Sequence, residues 1–277
     1  MTIHIRPEGA GSPLDLTTRI TLGMPHLCPN GLSENWLWKE LGHRHWDLIG
    51  RGIGRAAAGF GPAEAQPTYA AFRRIALQGG DFGLVGENDV VDLSSTLTHL
   101  SETRVVSHHI VAHQDRLVAE ADMTSVFVRR QTQGVNRSIV RVRIDGPRSL
   151  FSSSGRSSVA AEGSTDSSVA AAGEDEQELG VLTIEPCPHL DFNGAGLLYF
   201  SSFIAAVDRA EWSLIGKGER LYATRDRQAV FHSNIDIGDD LCVRLLATKT
   251  GPTRHHRAEI SAASDGRLLA EIITRRT

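Results

Sequence analysis

Residues Pro188-His-Leu-Asp-Phe-Asn-Gly194 occur in two copies along this 277-residue chain. The earlier copy, Pro25-His-Leu-Cys-Pro-Asn-Gly31, is identical at five of the seven positions and lies 163 residues upstream. Self-similarity over such a distance indicates that one structural unit has been duplicated, and a duplicated unit sets the architecture before any single motif does. We therefore interpret the two copies as versions of one structural unit.

Further matches follow each copy in the same order. Trp46-Asp-Leu-Ile-Gly50 corresponds to Trp212-Ser-Leu-Ile-Gly216, and Arg116-Leu-Val-Ala-Glu120 corresponds to Arg267-Leu-Leu-Ala-Glu271. Because the order is preserved over most of each half, the chain is predicted to consist of two tandem units.

The predicted units span residues 1–145 and 180–277. Residues 146–179 between them are rich in Ser, Ala, Gly and acidic residues. A segment so poor in large apolar side chains cannot offset the entropy lost on ordering, so it is predicted to be a flexible linker.

Each unit has the same order of predicted elements: a short strand, a helix and then long strands. β-rich residues 17–22 and 181–184 precede the two motifs, and mostly apolar helical segments at 32–41 and 195–207 follow them, with Ser33 placed to cap the first helix. The strands predicted after the first helix cover residues 89–98, 104–113, 116–129 and 138–144, with a tight turn at Gln114-Asp115.

A long antiparallel sheet wrapped around one buried helix is the hot-dog arrangement. Two copies give an α+β double hot-dog, in which the two helices pack against one shared sheet. The second helix is apolar on nearly all sides, so it has to be covered almost completely.

Composition limits the classes of partner. The net charge of −4 and a charged fraction of 22% give no general attraction to nucleic acid or anionic membranes. With no apolar run long enough to cross a membrane and no signal-peptide pattern at Met1, we expect a cytoplasmic protein. The three cysteines form no pair with metal-ligand spacing, and the twelve histidines form no chelating motif, so no metal site is predicted.

The start of each buried helix is the predicted site, because unpaired N–H groups and the helix dipole there can polarise a thioester carbonyl. Asn30-Gly31 and Asn193-Gly194 fall at these starts, and His26 and His189 hold equivalent positions beside them. Asn30, Gly31, His26, His189 and Gly194 are therefore candidate substrate-binding residues. The alternative is that each Asn-Gly pair only shapes the turn into its helix.

Asp191 is a candidate catalyst. Asp191-Phe-Asn-Gly194 resembles the Asp-x-x-Gly helix entrance of hot-dog thioesterases, in which the aspartate acts as a base or nucleophile, although Ala195 stands where those enzymes usually have histidine. A purely structural role as an acid near a helix N-terminus is the alternative.

Five segments taken together resemble the bifunctional acyltransferase/decarboxylase family of leinamycin-type polyketide biosynthesis, whose members are double hot-dog proteins. The resemblance covers nearly the whole chain except the linker. The segments are Gly23-Met-Pro-His26, Asn35-Trp-Leu-Trp-Lys-Glu-Leu-Gly42, His45-Trp46, Tyr69-Ala-Ala-Phe72 and Asp191-Phe-Asn-Gly-Ala-Gly-Leu-Leu-Tyr-Phe200.

The resemblance implies an enzyme that decarboxylates a malonyl- or methylmalonyl-coenzyme A thioester and transfers the acyl group to an acyl carrier protein. Tyr69 would handle the acyl group, and Asn193 with the helix-start amides would stabilise an enolate oxygen. Acyl-coenzyme A and the carrier protein are the implied partners, and the chemistry needs no cofactor.

Two alternatives to this function stay open. One is a hot-dog thioesterase or dehydratase that uses Asp191, and the other is a non-catalytic protein that binds acyl thioesters. Association of two chains into a homodimer is a further alternative, and no motif decides it.

Overall fold

The computed structural model describes residues 14–54, 67–144, 176–216, 222–249 and 254–277. They form an eleven-stranded antiparallel sheet, a two-stranded ribbon made of β2 and β3, and three α-helices. In chain order the elements are β1 (Asp15–Thr21), β2 (Leu27–Cys28), β3 (Gly31–Leu32), α1 (Glu34–Ile53), β4 (Tyr69–Gln78), β5 (Val90–Leu100), β6 (Arg104–His113), β7 (Arg116–Arg130), β8 (Ile139–Arg141), β9 (Gln177–Ile184), α2 (Pro188–Asp191), α3 (Phe200–Glu211), β10 (Thr224–Phe231), β11 (Leu241–Lys249), β12 (Arg254–Ala262) and β13 (Leu268–Arg276).

The strand order shows the duplication directly. The first half of the sheet runs β1-β5-β6-β7-β4, and the second half runs β10-β13-β12-β11-β9, which is the same order reversed about the centre. β4 and β10 pair antiparallel and join the two halves. The helices α1 and α3 contact each other through Trp38 and Phe200, whose ring centroids are 6.3 Å apart. The predicted α+β double hot-dog is confirmed.

Two local predictions are confirmed. Ser33 accepts a hydrogen bond from the Trp36 amide at 3.3 Å, which starts α1 where the sequence places it. Gln114 and Asp115 both have positive φ, 49° and 63°, as a tight hairpin turn between β6 and β7 requires. α1 runs on to Ile53, well beyond the predicted end at residue 41, and stops at Gly54 in the left-handed region.

The second long helix begins later than predicted. α3 starts at Phe200 rather than at residue 195, and a π-helical turn extends it from Trp212 to Gly216. The Asn193 side-chain oxygen accepts hydrogen bonds from the amides of Ala195 and Leu197, and Gly196 has φ +69°. These bonds hold the chain in a turn, so helical geometry begins only after it.

The described residues also bear on the linker. β9 begins at Gln177 and pairs with β11, so residues 177–179 belong to an edge strand of the sheet. Residues 146–175 of the predicted linker lie outside the described residues. No helix within the described ranges is long and apolar enough to cross a membrane.

Candidate functional site

A cavity of about 940 Å³ opens between the two units at the start of α3. Its walls come from α1, the first residues of β4, the end of β7 with the loop that follows it, residues 193–200 and residues 231–234. Apolar side chains supply much of the lining, namely Trp46, Phe72, Val126, Val128, Ile139, Leu197, Leu198, Phe200, Phe203 and Phe231. A large, mostly apolar hollow with a few polar groups is the usual form of a small-molecule site.

Tyr69, the first residue of β4, lines this cavity. The Arg130 guanidinium carbon lies 5.9 Å from its ring centroid, within the range of a cation–π contact. Arg130 also donates hydrogen bonds to the Ala195 carbonyl and, through Nε at 2.8 Å, to the Asn136 side-chain oxygen. Arg130 therefore links the tyrosine of the first unit to the segment before α3 in the second.

Asn136 completes the same link. Its side chain is buried, and Nδ2 donates to the carbonyls of Gly196 at 2.7 Å and Ile235 at 2.6 Å. Since its oxygen accepts from Arg130, every hydrogen-bonding group of this carboxamide is used. These hydrogen bonds form a polar network that joins the two units beside the cavity.

At the start of α3, Tyr199 is the N-cap residue and lines the cavity. Burial raises the pKa of its phenol to about 12, so the phenol stays protonated and able to donate a hydrogen bond at neutral pH. A Cβ placed on Gly42 of α1 would lie only 2.5 Å from the Tyr199 hydroxyl. Glycine at position 42 is what allows Tyr199 to occupy this space.

His232, just after β10, is a cavity histidine held by a carboxylate. Its Nε2 lies 2.8 Å from Oε2 of Glu271, whose side chain is 8% exposed. The backbone around it is fixed as well: the His232 amide donates to the Leu269 carbonyl at 2.7 Å, and the Asn234 side chain bonds both the amide and the carbonyl of Leu198. The imidazole therefore has a defined orientation beside the start of α3.

Arginine is the residue type that brings permanent charge to the described lining of the cavity. Arg73, Arg137 and Arg141 line it, and no aspartate or glutamate is among the described lining residues. Arg137 is paired with Asp236 and Asp239 at 3.3 Å, and Arg141 is exposed. The arrangement favours a ligand that carries negative charge.

The predicted site residues fall into two groups. Tyr69, Asn193 and Gly194 line the cavity. Asp191 does not: its buried carboxylate accepts a hydrogen bond from the Cys187 amide at 2.8 Å, within the one turn of α2. His189 is exposed on α2 and is also not part of the lining.

The first-unit candidates lie elsewhere. His26 Nδ1 accepts from the Gly23 amide at 2.8 Å, and its ring packs edge-on against Trp36. A Cβ at Gly31 would lie 2.0 Å from the Phe82 carbonyl oxygen, so this glycine permits close backbone packing. Neither these residues nor Asn30 line the cavity.

The pseudo-twofold relation between the units defines a second, equivalent position. Phe72 and Thr224 each immediately precede the bulge of their strand, so they correspond. Aligning the two helices on their Trp-x-Leu-Ile-Gly segments makes Gly42 of the cavity correspond to Asp208. The cavity therefore has Phe72 and Gly42 where the second position has Thr224 and Asp208.

A buried ion cluster occupies this second position. Glu34 pairs with Arg227 at 2.7 Å, Arg227 with Asp208 at 2.8 Å, and Arg276 with Asp208 and Glu211 at 2.6 Å. Burial alone would raise the pKa of Asp208, but the two guanidinium charges outweigh it and lower that pKa. The ion cluster fills space that its counterpart leaves open.

Comparisons with known proteins agree with this architecture. No protein-family model matches the chain, and no curated protein matches its sequence significantly. Among solved structures, an acyl-ACP thioesterase from Bacteroides thetaiotaomicron aligns with a TM-score of 0.67 at 12% identity, over 96% of this chain and 100% of that one. The 12:0-ACP thioesterase from Umbellularia californica aligns with a TM-score of 0.65 at 8% identity, over 95% of this chain and 94% of that one. A putative oleoyl thioesterase from Lactobacillus plantarum aligns with a TM-score of 0.67 at 9% identity, over 95% of each chain. At these identities the likeness establishes the shared hot-dog fold.

Sequence reasoning did not single out Arg130, Asn136, Tyr199 or His232 as site residues. Tyr199 lies within the segment Asp191–Phe200 but was given no role of its own. Asn136 and His232 line the cavity, and Arg130 contacts the lining residue Tyr69, through contacts between segments far apart along the chain. Among the described residues, no group of three His, Cys, Asp or Glu side chains is placed to bind a metal ion.

Proposed function

We propose that this protein is an enzyme that binds an acyl thioester in the cavity and breaks its thioester bond. The observation that carries the proposal is the cavity itself: a hollow of about 940 Å³ with much apolar lining, which ends at the first turn of α3 and is built by both units. An acyl chain suits the apolar part. The amides at the helix start suit the carbonyl oxygen as it gains negative charge.

Hydrolysis of an acyl-carrier or acyl-coenzyme A thioester is the first candidate reaction. The three structures of similar architecture are named as thioesterases, two of them for acyl-ACP substrates. The protonated Tyr199 phenol supplies a hydrogen-bond donor beside the helix start. A water molecule would be the acceptor of the acyl group.

Decarboxylating acyl transfer is the second candidate, and specific features favour it. Arg73, Arg137 and the exposed Arg141 line the cavity, and no aspartate or glutamate is among the described lining residues, which suits a malonyl-type substrate carboxylate. Tyr69, which the family resemblance assigns to acyl handling, lies in the same cavity near Arg130. The acceptor would then be the phosphopantetheine thiol of an acyl carrier protein.

The test incubates the purified protein with short-, medium- and long-chain acyl-coenzyme A and with methylmalonyl-coenzyme A, each with and without a phosphopantetheinylated carrier protein. Released thiol, released carbon dioxide and the intact mass of the carrier are measured. Free thiol with an unmodified carrier supports hydrolysis, and a propionylated carrier with carbon dioxide supports decarboxylating transfer. If no thioester in the panel is consumed, the proposed function is wrong.

The two candidates also differ in their dependence on Tyr69. We expect Tyr69→Phe to abolish acyl transfer with an unchanged melting temperature, because the change removes only the hydroxyl of a residue that lines the cavity. Tyr222→Phe is the matched control, since Tyr222 does not line the cavity. Equal transfer by the wild type and the Tyr69 variant would exclude a role for this tyrosine in acyl transfer.

A further inference from the structure

Only two histidines line the cavity among the described residues, and they differ in how they are held. His43 is exposed on α1. His232 is bonded through Nε2 to the buried carboxylate of Glu271. A base that is oriented by a third group is a recurring arrangement where a nucleophile must be activated.

The bond to Glu271 also sets the tautomer of His232. An ionised carboxylate can only accept, so Nε2 has to carry the hydrogen. Nδ1 is then the unprotonated nitrogen, and no described residue donates a hydrogen bond to it. Arg257 lies 3.7 Å from the other Glu271 oxygen, so the carboxylate contacts a guanidinium on one side and the imidazole on the other.

The His232 ring lies beside the start of α3. Asn234, two residues further on, holds the Leu198 amide and carbonyl, and Leu198 is next to the N-cap residue Tyr199. Arg73 donates to the carbonyl of Phe231, immediately before His232. The imidazole and the first turn of α3 are therefore parts of one fixed wall of the cavity.

We propose that His232, oriented by Glu271, is the general base that takes the proton from the nucleophile attacking the acyl carbonyl. This inference rests on the proposed thioester chemistry and assigns a catalytic residue to it. The nucleophile is water in hydrolysis or the carrier thiol in transfer. Both present an X–H group that has to lose its proton as its bond to carbon forms.

The step balances without any cofactor. The X–H proton moves to Nδ1 of His232 while the X–C bond forms and the carbonyl electrons move onto oxygen. The tetrahedral intermediate then collapses, the C–S bond breaks, and the leaving thiolate takes the proton back from Nδ1. The products are a free thiol and either a carboxylic acid or a new thioester.

The test measures kcat and KM of the wild-type protein, His232→Asn and Glu271→Gln with whichever thioester the wild type consumes. We expect His232→Asn to lower kcat about a hundredfold or more, with KM changed less than threefold, because a general base acts on the reaction step rather than on binding. Glu271→Gln leaves the imidazole in place, so it should lower kcat less than His232→Asn does. It removes the negative charge beside the imidazole, so it should also shift the pH profile of kcat.

A matched pair elsewhere in the sheet provides the control. His108 Nδ1 lies 2.9 Å from the Asp122 carboxylate, yet His108 does not line the cavity. His108→Asn should therefore leave kcat within about twofold. A third variant, His232→Ala, should regain part of its activity when imidazole is added, which a merely structural role would not produce.

The outcomes separate the two levels of the proposal. An active wild type whose His232→Asn variant keeps kcat within threefold overturns the assignment of the base while leaving thioester chemistry intact. A folded His232→Asn variant that binds a non-hydrolysable acyl-coenzyme A thioether as tightly as the wild type but does not turn over supports it. A wild type that consumes no thioester overturns both.

Discussion

His45 of α1 lies wholly inside the first unit, where Nδ1 is 2.6 Å from the Ser107 hydroxyl and Nε2 is 2.7 Å from that of Ser125. Ser107 in turn bonds His109, so the interior contains a chain of neutral polar groups. Burial lowers the pKa of His45 to about 3. Each hydrogen bond lost from this chain would leave a buried polar group without a partner.

The lowered pKa predicts acid sensitivity. The unfolded chain protonates His45 near pH 6.5, whereas the folded chain does so only near pH 3. Between these values the unfolded state binds the extra proton, so the free energy of unfolding falls by about 1.4 kcal/mol per pH unit as the pH decreases. Burial also lowers the pKa values of His109 and His256, which add to this slope. Urea unfolding from pH 7 to pH 4.5 should therefore show at least this slope, and His45→Gln should reduce it.

The control for this prediction is His113→Gln, which changes a half-buried histidine at the end of β6. Replacing a buried hydrogen-bonding group lowers the free energy of unfolding at every pH. The informative quantity is therefore the slope of that free energy against pH, compared between the two variants and the wild type. An unchanged slope in His45→Gln would show that the acid sensitivity arises elsewhere.

Gly42 provides a second prediction at the level of a single residue. A Cβ there would lie 2.5 Å from the Tyr199 hydroxyl and 2.9 Å from the Phe200 ring. Gly42→Ala should therefore destabilise the protein by roughly 1–2 kcal/mol despite the higher helix propensity of alanine, because overpacking of this kind costs ~1–3 kcal/mol. Denaturant unfolding measures the effect.

Tyr199→Phe tests the cause of that loss. In the Tyr199→Phe background the Gly42→Ala change should cost less, since the closest clashing atom is gone. Additive effects of the two substitutions would contradict the proposed contact.

The turn before α3 is the element that fixes the cavity wall. Asn193 Oδ1 accepts from the Ala195 amide at 3.0 Å and from the Leu197 amide at 3.1 Å. We expect Asn193→Ala to lower the free energy of unfolding by ~1–2 kcal/mol, as loss of a capping side chain does, while Asn193→Asp keeps it within ~0.5 kcal/mol. Thermal and urea unfolding of the two variants checks this.

The same pair of variants separates a structural from a chemical role for Asn193. Aspartate keeps the acceptor oxygen but removes the Nδ2 donor. If Asn193 also stabilises an oxygen of the substrate, Asn193→Asp should keep the free energy of unfolding of the wild type but lower the rate of thioester turnover. Equal stability loss in both variants would contradict the role of the side-chain oxygen in this turn.

For the molecule as a whole, the ion cluster is the main asymmetry between the units. Arg227 is fully buried between Glu34 and Asp208. Arg227→Met should lower the free energy of unfolding by ~3–5 kcal/mol, because it leaves acidic groups of the cluster without their partner. Arg74→Met, at an exposed position on the neighbouring strand β4, is the control and should cost little. A loss below ~1 kcal/mol for Arg227→Met would contradict this role.

The asymmetry also predicts the number of ligand sites. Because the position equivalent to the cavity holds Glu34, Asp208, Glu211 and two arginines, a non-hydrolysable acyl-coenzyme A thioether should bind with a stoichiometry of one per chain. Isothermal titration calorimetry measures this number directly. A stoichiometry of two would mean that the ion cluster opens to admit a ligand.

The sequence by itself determined the duplication, the α+β class and several local features. The Pro-His-Leu repeat is visible when the chain is compared with itself. The Ser33 cap and the Gln114-Asp115 turn depend on neighbouring residues, so the local sequence predicts them. Tyr69, Asn193 and Gly194 line one cavity, and their roles there stay predictions. The repeat pointed to Asn193 and Gly194, and the family resemblance pointed to Tyr69.

Only the tertiary structure decided which of the two equivalent positions is open and which residues surround it. His232 reaches Glu271, Asn136 reaches Gly196, and Arg227 reaches Glu34, and each contact joins segments far apart along the chain. Whether a polar side chain faces a cavity, a partner or solvent depends on strand register and helix onset across both units. Those long-range contacts leave no periodic pattern in the sequence, so the composition of the site became visible only when the two units were packed together.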